Sequence, residues 1–516
     1  MKIKEYIKSP FAWVGSIYFA EGFPYTIIRI VSSIFFRDRG VSLENIGLTS
    51  LYGLPWTLKF LWGPYIDEYS TKRNWLLSSE VIFAFILLVT SLLSPLDNAL
   101  FLIGMLFFVG AFVSATHDIA IDGFYMEALD NKEQEKFIGY RILAYRISMM
   151  FGQGVIVTVG TFYNWFYAFF LSFWVFALLF VFHFKVLPKK EKAKNKFREL
   201  LPFLKNFLII PALIKAYRNK KTDELKLIGF IYALIGFIIW FKYFLKSKYY
   251  INLSKSYFIF KKLSYARWIG LFILLFLVLL LFFKNKLKQK ITDSKEGFYA
   301  ESFFKFIDRE KIGLAIAFII FVRTGEFMLH AMTGTFFVDL GIKKHIGWIT
   351  SAIGLPASIF GALLGGWIIS RYGFKKSSFW LLLIQNITNL GYMWLAWRFK
   401  DFLAINTGNL NPVSIGKLNV FFVAFVNGFE QFSAGLGTAV LTTYLLRLCM
   451  KGYKTSHFAL GTGLMSVSGI IVGIAGGIIT NETGYEVFFL ISFLASIPGM
   501  ILLYFAPLYK ESNSVS

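Results

Sequence analysis

Phe35-Phe36-Arg37-Asp38-Arg39-Gly40 returns about three hundred residues later as Phe336-Phe337-Val338-Asp339-Leu340-Gly341. Ile46-Gly47 then matches Ile346-Gly347, and Gly53-Leu54-Pro55 matches Gly354-Leu355-Pro356. Gly63-x3-Asp67 followed by Lys72-Arg73 matches Gly366-x3-Ser370-Arg371-x-Gly373 followed by Lys375-Lys376. A duplicated pair of apolar segments joined by a short basic loop predicts two structural halves. Membrane proteins built from such halves hold their binding site near the bilayer midplane, between the repeats.

Composition sets the class. Hydrophobic residues make up 56% of the chain and charged residues 16%, with a mean hydropathy of +0.60. Average soluble domains carry about 25% charged residues, so the chain reads as an all-α integral membrane protein. Apolar runs of roughly 18 or more residues suffice to cross a hydrocarbon core about 30 Å thick. They fall near 11–36, 46–66, 75–95, 98–120, 138–161 and 164–184, and again near 312–337, 346–369, 377–397, 418–446, 457–480 and 485–508. Candidates near 226–245 and 267–283 lie between the two sets, which predicts about fourteen segments. Unbroken runs argue against a barrel, whose strands would alternate over about ten residues.

The predicted organisation is a six-helix half over 1–184, a basic insert with two further membrane helices over 185–311, a second six-helix half over 312–508, and a polar tail over 509–516. The first run is too long for a signal-peptide core and is expected to stay as a membrane helix. Cys449 is the only cysteine, which excludes an intramolecular disulfide and a Cys-based metal site.

The net charge of +24 is concentrated. Residues 185–311 hold 28 Lys/Arg and nine Asp/Glu, a net of +19. Basic charge beside membrane helices marks cytoplasmic loops far more often than nucleic-acid binding. Both termini are therefore expected in the cytoplasm, with the Lys72-Arg73 and Arg371-Lys375-Lys376 loops on that side. One conflict arises, because the lysine-rich loop 246–262 then falls outside. Either the charge bias is overridden there, or the flanking segments lie on the membrane. Interfacial helices are expected at 204–216 and around Phe298–Phe306.

Ionisable residues inside apolar helices cost roughly 2.5 kcal/mol or more each, so they face a cavity or a partner. The first run carries Glu21 and Arg29, with Gly22 and Pro24 between them able to loosen the backbone. Lys59 lies in the second run. Asp118 and Asp122 in the fourth run are four apart and share one helical face. Two carboxylates so placed form either a proton site or an ion-pair lattice with Lys59, Arg141 or Arg146. The second set carries Arg323, Glu326 and His330, then Glu430 and Gln431. Arg323 either satisfies Glu326 one turn away or holds an anionic group by bidentate bonds. Gln153, Gln385, Asn386 and Asn389 read as contacts between helices. Gly63, Asp67 and Arg73, with Gly366 and Arg371 in the second copy, read as a gating loop whose contacts break when the cytoplasmic face opens. Ser370 replaces Asp67 in that copy, so its charge lock is weaker. Signatures of zinc hydrolases, serine hydrolases and phosphate-binding loops are absent from the sequence. No enzyme, cofactor or metal is expected.

The paired Gly-x3-Asp/Ser loops resemble the signature of the major facilitator superfamily. Tyr18–Tyr25, Gly53-Leu54-Pro55-Trp56-x2-Lys59-Phe60, Ala115–Asp122, Gly139–Met149 and Cys449–Leu460 resemble its muropeptide permeases of the AmpG type and the related acetyl-CoA transporters. The resemblance covers about 11–184 and 312–508. It implies a major facilitator fold, the bacterial inner membrane, and proton-coupled import of anhydro-muropeptides released from the cell wall. Lys59, Asp118, Asp122, Tyr145 and Arg146 fall on family positions. The chain departs from the family at Glu21, at His117 and at the Arg323–Glu326 pair, and by its inserted helical pair. A carrier of acetyl-CoA or another nucleotide thioester would need Arg29, Lys59, Arg146 and Arg323 to converge. A sensor or assembly factor docking through the basic insert is the third reading. Expected partners are a small-molecule substrate, protons and lipids, with no nucleic acid, and the protein is expected to be monomeric.

Overall fold

A computed structural model describes residues 9–59, 62–63, 66, 70–189, 236, 240–241, 243–256, 263–272, 275, 305–450 and 454–508. Among the described residues the chain is almost wholly helical and contains no strand. The N-terminal helices are α1 (Pro10–Asp38), α2 (Leu43–Gly47, continued by Leu48–Gly53 and Leu54–Leu58), α3 (Lys72–Leu93), α4 (Leu100–Ala128), α5 (Asn131–Phe151, extended by Val157–Phe162) and α6 (Trp165–Val186). After α7 (Lys248–Ser256) come α8 (Ile312–Asp339), α9 (Lys343–Tyr372), α10 (Phe374–Arg398), α11 (Lys417–Leu448) and α12 (Lys454–Phe505). Gly484, at φ 78°, splits α12 into two helices.

Eight of these helices are long and apolar enough to cross a membrane. That number differs from the fourteen expected for physical reasons. The α2 run is cut into short turns around Pro55, and α12 joins two runs. Helices α10 and α11 have the length, but Gln385, Asn386 and Asn389 on one and Asn427, Glu430 and Gln431 on the other lower their apolarity. The candidates 226–245 and 267–283 lie mostly outside the described residues, as do 204–216, Asp67 and most of the stretch around Phe298–Phe306.

The repeated Ile-Gly pairs explain how the N-terminal and C-terminal helices meet. A Cβ on Gly47 would sit 3.0 Å from the Gly473 carbonyl oxygen and 3.2 Å from Gly477 Cα. A Cβ on Gly347 would sit 2.7 Å from the Gly154 carbonyl oxygen. So α2 packs backbone to backbone on α12, and α9 does the same on α5, each through glycines that permit close approach. Gly477→Val pushes a side chain onto the Leu43 carbonyl, 2.5 Å from even a Cβ. It is expected to cost about 1–3 kcal/mol, measured as a lower melting temperature in detergent.

Candidate functional site

Irregular backbone surrounds the centre of the bundle. Just beyond Pro24, α1 widens into a π-turn at Ile27–Val31, which carries Arg29. Similar π-turns at Gly152–Ile156 and Ile349–Gly354 carry Gln153 and Thr350, and a 3-10 stretch at Leu48–Gly53 carries Thr49 and Ser50. Arg323 sits at a non-helical joint in α8, φ −111° and ψ 9°. Non-helical backbone at membrane depth is tolerated where it lines a cavity, and all five of these stretches line the same one. The cavity measures about 500 Å³ and lies between N-terminal and C-terminal helices.

Three guanidinium groups face it: Arg29, Arg146 and Arg323. Arg29 donates to the Ser50 carbonyl at 2.8 Å and the Thr49 carbonyl at 3.4 Å, and touches no carboxylate among the described residues. Gly53 makes room for it, since a Cβ there would lie 3.2 Å from the guanidinium carbon. Arg146 has neither a hydrogen bond nor an ion pair with any described residue, and it feels the like charge of Arg323. Arg323 is neutralised: its Nε donates to Glu326 Oε2 at 2.7 Å and its Nη2 pairs with Oε1. Gln385 Nε2 also donates to Glu326. His330 Nε2 lies 3.5 Å from Glu326 and 3.7 Å from Glu430, whose Oε2 accepts from Gln431 at 2.9 Å. Arg323 and Glu326 thus satisfy each other, and Glu430 belongs to the same network.

The carboxylates of α1 and α4 form a second group. Lys59 Nζ donates to Asp118 Oδ2 at 2.6 Å. Asp122 Oδ1 accepts from Tyr18 Oη at 2.9 Å and from Arg141 Nη2 at 3.1 Å. The Arg141 guanidinium lies 4.4 Å from the Tyr18 ring centre. Glu21 is in electrostatic reach of Asp118, Asp122, Lys59 and Arg141. Its Oε2 is buried and accepts no hydrogen bond from any described residue. Three carboxylates therefore face two cations. Tyr145 stacks obliquely on Tyr25 with ring centres 6.5 Å apart and connects this group to the cavity wall.

Arg73 and Arg371, expected to gate, occupy unlike surroundings. Arg73 is buried and donates to the carbonyls of Phe184, at 2.6 Å, and Leu187, at 3.2 Å, both at the end of α6. Arg371 is exposed beside Trp367 and Tyr372. A Cβ on Gly63 or Gly366 would meet nothing within 4 Å. The ties between N-terminal and C-terminal helices stand at the opposite end, on the repeated motif itself. Arg37 forms a bidentate pair with Asp339, Nε to Oδ1 at 2.7 Å and Nη2 to Oδ2 at 2.5 Å, with both side chains 3% exposed. Tyr485 Oη donates to the same carboxylate at 2.7 Å. Asp38 accepts from Lys343 Nζ at 2.5 Å and from Trp165 Nε1 at 2.8 Å. Asp38 and Asp339 are equivalent positions of the repeat, and each receives a cation from the other copy's side. The repeat contains Arg37, Asp38 and Asp339 of this lock, and the sequence reading assigned them no contact. It also passed over a fully buried contact among α3, α4 and α6, where His183 Nδ1 lies 2.5 Å from Glu80 Oε1 and His117 Nε2 3.6 Å from it.

Residues 14–261 match the Major Facilitator Superfamily family model. An uncharacterized protein of Haemophilus influenzae is 24% identical, covering 96% of this chain and 95% of its own. The anhydromuropeptide permease of Escherichia coli K12 is 22% identical, covering 94% of this chain and 77% of its own length. Among solved structures, a peptide transporter POT in complex with sulfate superimposes with a TM-score of 0.64 at 12% identity, over 96% of this chain and 94% of that one. The named relative and the solved structure are transporters. Helical architecture, family match and relatives together make this chain similar to multi-pass membrane transporters of the major facilitator type.

Proposed function

We propose that the chain imports an amphipathic anionic solute by alternating access, with anhydro-muropeptides as the substrate class and protons as the coupling ion. The observation that carries this is the cavity's charge. Among the described residues Arg29 and Arg146 face it without a carboxylate of their own, and an arginine left so is arranged to receive a carboxylate or phosphate from a ligand. The volume lies within the range of roughly 300–1,000 Å³ common to small-molecule sites. The relative named as an anhydromuropeptide permease supports that substrate class.

Proton coupling is placed on Glu21, Asp118 and Asp122. One proton brings the three carboxylates and two cations to neutrality, and an unbalanced buried charge is costly at membrane depth. Asp118→Asn leaves Lys59 without its anionic partner and removes one of the two carboxylates acting on Glu21. Gradient-driven uptake of radiolabelled anhydro-muropeptide into proteoliposomes is expected to fall about tenfold or more in Asp118→Asn and in Glu21→Gln, the scale on which a group that handles a proton acts. Uptake that ignores both the gradient and the substitutions would remove proton coupling from this group. A second reading rests on the same cavity, since three of the four cations a nucleotide-thioester carrier needs converge there; Lys59 is instead held by Asp118. Failure of anhydro-muropeptide uptake with acetyl-CoA uptake present would select it.

A further inference from the structure

One side chain of the insert touches both sets of helices. Arg267 lies in the helical stretch 265–272. Its Nε donates to Glu44 Oε1 at 2.7 Å, at the start of α2, and its Nη2 pairs with Glu482 beside the Gly484 break of α12. Two residues of the neighbourhood fix its position. Trp268 Nε1 donates to Tyr250 Oη at 3.0 Å, and that hydroxyl donates to the Leu263 carbonyl at 3.0 Å, which holds 265–272 against α7. A Cβ on Gly270 would lie 3.7 Å from Ile474 of α12, so the segment rests on the glycine seam where α2 and α12 meet.

We infer that the stretch 265–272 is a strap on the transport cycle: Arg267 ties α2 to α12 at the Arg37–Asp339 end and must let go of one carboxylate each time that end opens. Alternating access separates the two sets of helices at one end while they close at the other. A guanidinium bonded to both sides at one end therefore favours the state in which that end is shut. The two carboxylates are not equivalent. The Glu44 side chain is 12% exposed and the Glu482 side chain 52% exposed. Leaving the more buried carboxylate without its cation costs more, so Arg267 stays with Glu44 and releases Glu482. Segment 265–272 then travels with α2.

The test reads the opening of that end directly. Asn98 and Asn411 are exposed on loops at the Arg37 end, one on each side. Asn98→Cys and Asn411→Cys in a Cys449→Ser background receive spin labels, and their distance distribution is recorded by pulsed electron resonance in proteoliposomes. Arg267→Ala is expected to raise the ratio of long to short distances about two- to fivefold, the range for partly exposed ion pairs. Glu482→Gln, which removes only the exposed partner, should give the same direction, and Arg267→Lys a smaller change. An unchanged distribution in Arg267→Ala and Glu482→Gln, with Arg37→Ala shifting it, would overturn the strap. So would a shift in Arg267→Ala that Glu482→Gln does not share, because that pattern marks undocking of the insert rather than release of α12.

Discussion

Arg37→Ala is expected to open the end of the transporter that the Arg37–Asp339 pair holds shut. The substitution leaves Asp339 buried, 2% exposed, with the Tyr485 hydroxyl as its remaining partner. Removing one member of a buried pair costs about 3–5 kcal/mol. Because the pair joins residues 302 positions apart on the two sides of the bundle, it exists only while that end is closed. The cost therefore falls on the closed state, and the closed-to-open ratio should drop by about 100-fold or more. The spin-label pair at positions 98 and 411 reports the shift as a move of the main population to long distance. Uptake should fall as well, since a carrier that rests open at one end presents its cavity too seldom at the other. Tyr485→Phe removes one hydrogen bond to the same carboxylate, but Tyr485 and Asp339 both belong to the C-terminal helices, so that bond survives opening and the ratio should move far less than in Arg37→Ala. A normal distance distribution in Arg37→Ala with a lowered melting temperature would make the pair a packing element instead.

That lock shows where a single sequence stops being readable. Helices, their apolarity and their duplication were legible because burial in lipid imposes length and composition locally. Glu21, Lys59, Asp118 and Asp122 stood out for the same reason, as charges in apolar runs. The lock did not, although its residues opened the repeat. Asp38 and Asp339 are equivalent, but Arg37 aligns with Val338, and Lys343 falls outside the quoted motif. Each aspartate's partner comes from the far side of the molecule, so neither copy contains its own pair. Arg323 was legible as a charge one turn from Glu326, and Gly325 beside the joint was the signal for the helix break that the charge pattern alone does not carry. Glu80 and His183 are charges in apolar runs too; the rule that selected Glu21 applies to them equally and would have found their contact. Arg146 was named both as a lattice partner of the carboxylates and as a family position; it pairs with no carboxylate among the described residues, and that unpaired state in the cavity gives it another physical reason.

That unpaired state makes Arg146 the most informative substitution in the cavity. Most buried-charge substitutions confuse binding with folding, because they strand a partner. Arg146 strands none among the described residues, so Arg146→Ala should leave the melting temperature in detergent within about a degree or two of the original, the behaviour of substitutions away from buried networks. Relief of its repulsion with Arg323 pushes slightly toward greater stability. If Arg146 receives the anionic group of the solute, its removal leaves that group desolvated without a cation. Truncating one member of such a pair costs about 2–5 kcal/mol, or roughly 30-fold or more in apparent affinity. The loss should appear as a raised KM for anhydro-muropeptide uptake. Arg146→Lys keeps the charge but not the planar pair of donors, so it should recover only part of the affinity. Arg29 supplies the comparison. Its guanidinium is already held by two carbonyls, so Arg29→Ala should lower both stability and affinity, whereas Arg146→Ala lowers affinity alone. Equal loss of melting temperature in the two variants, or an unchanged KM in Arg146→Ala, would move the anion's seat away from Arg146 and leave Arg29 to hold it.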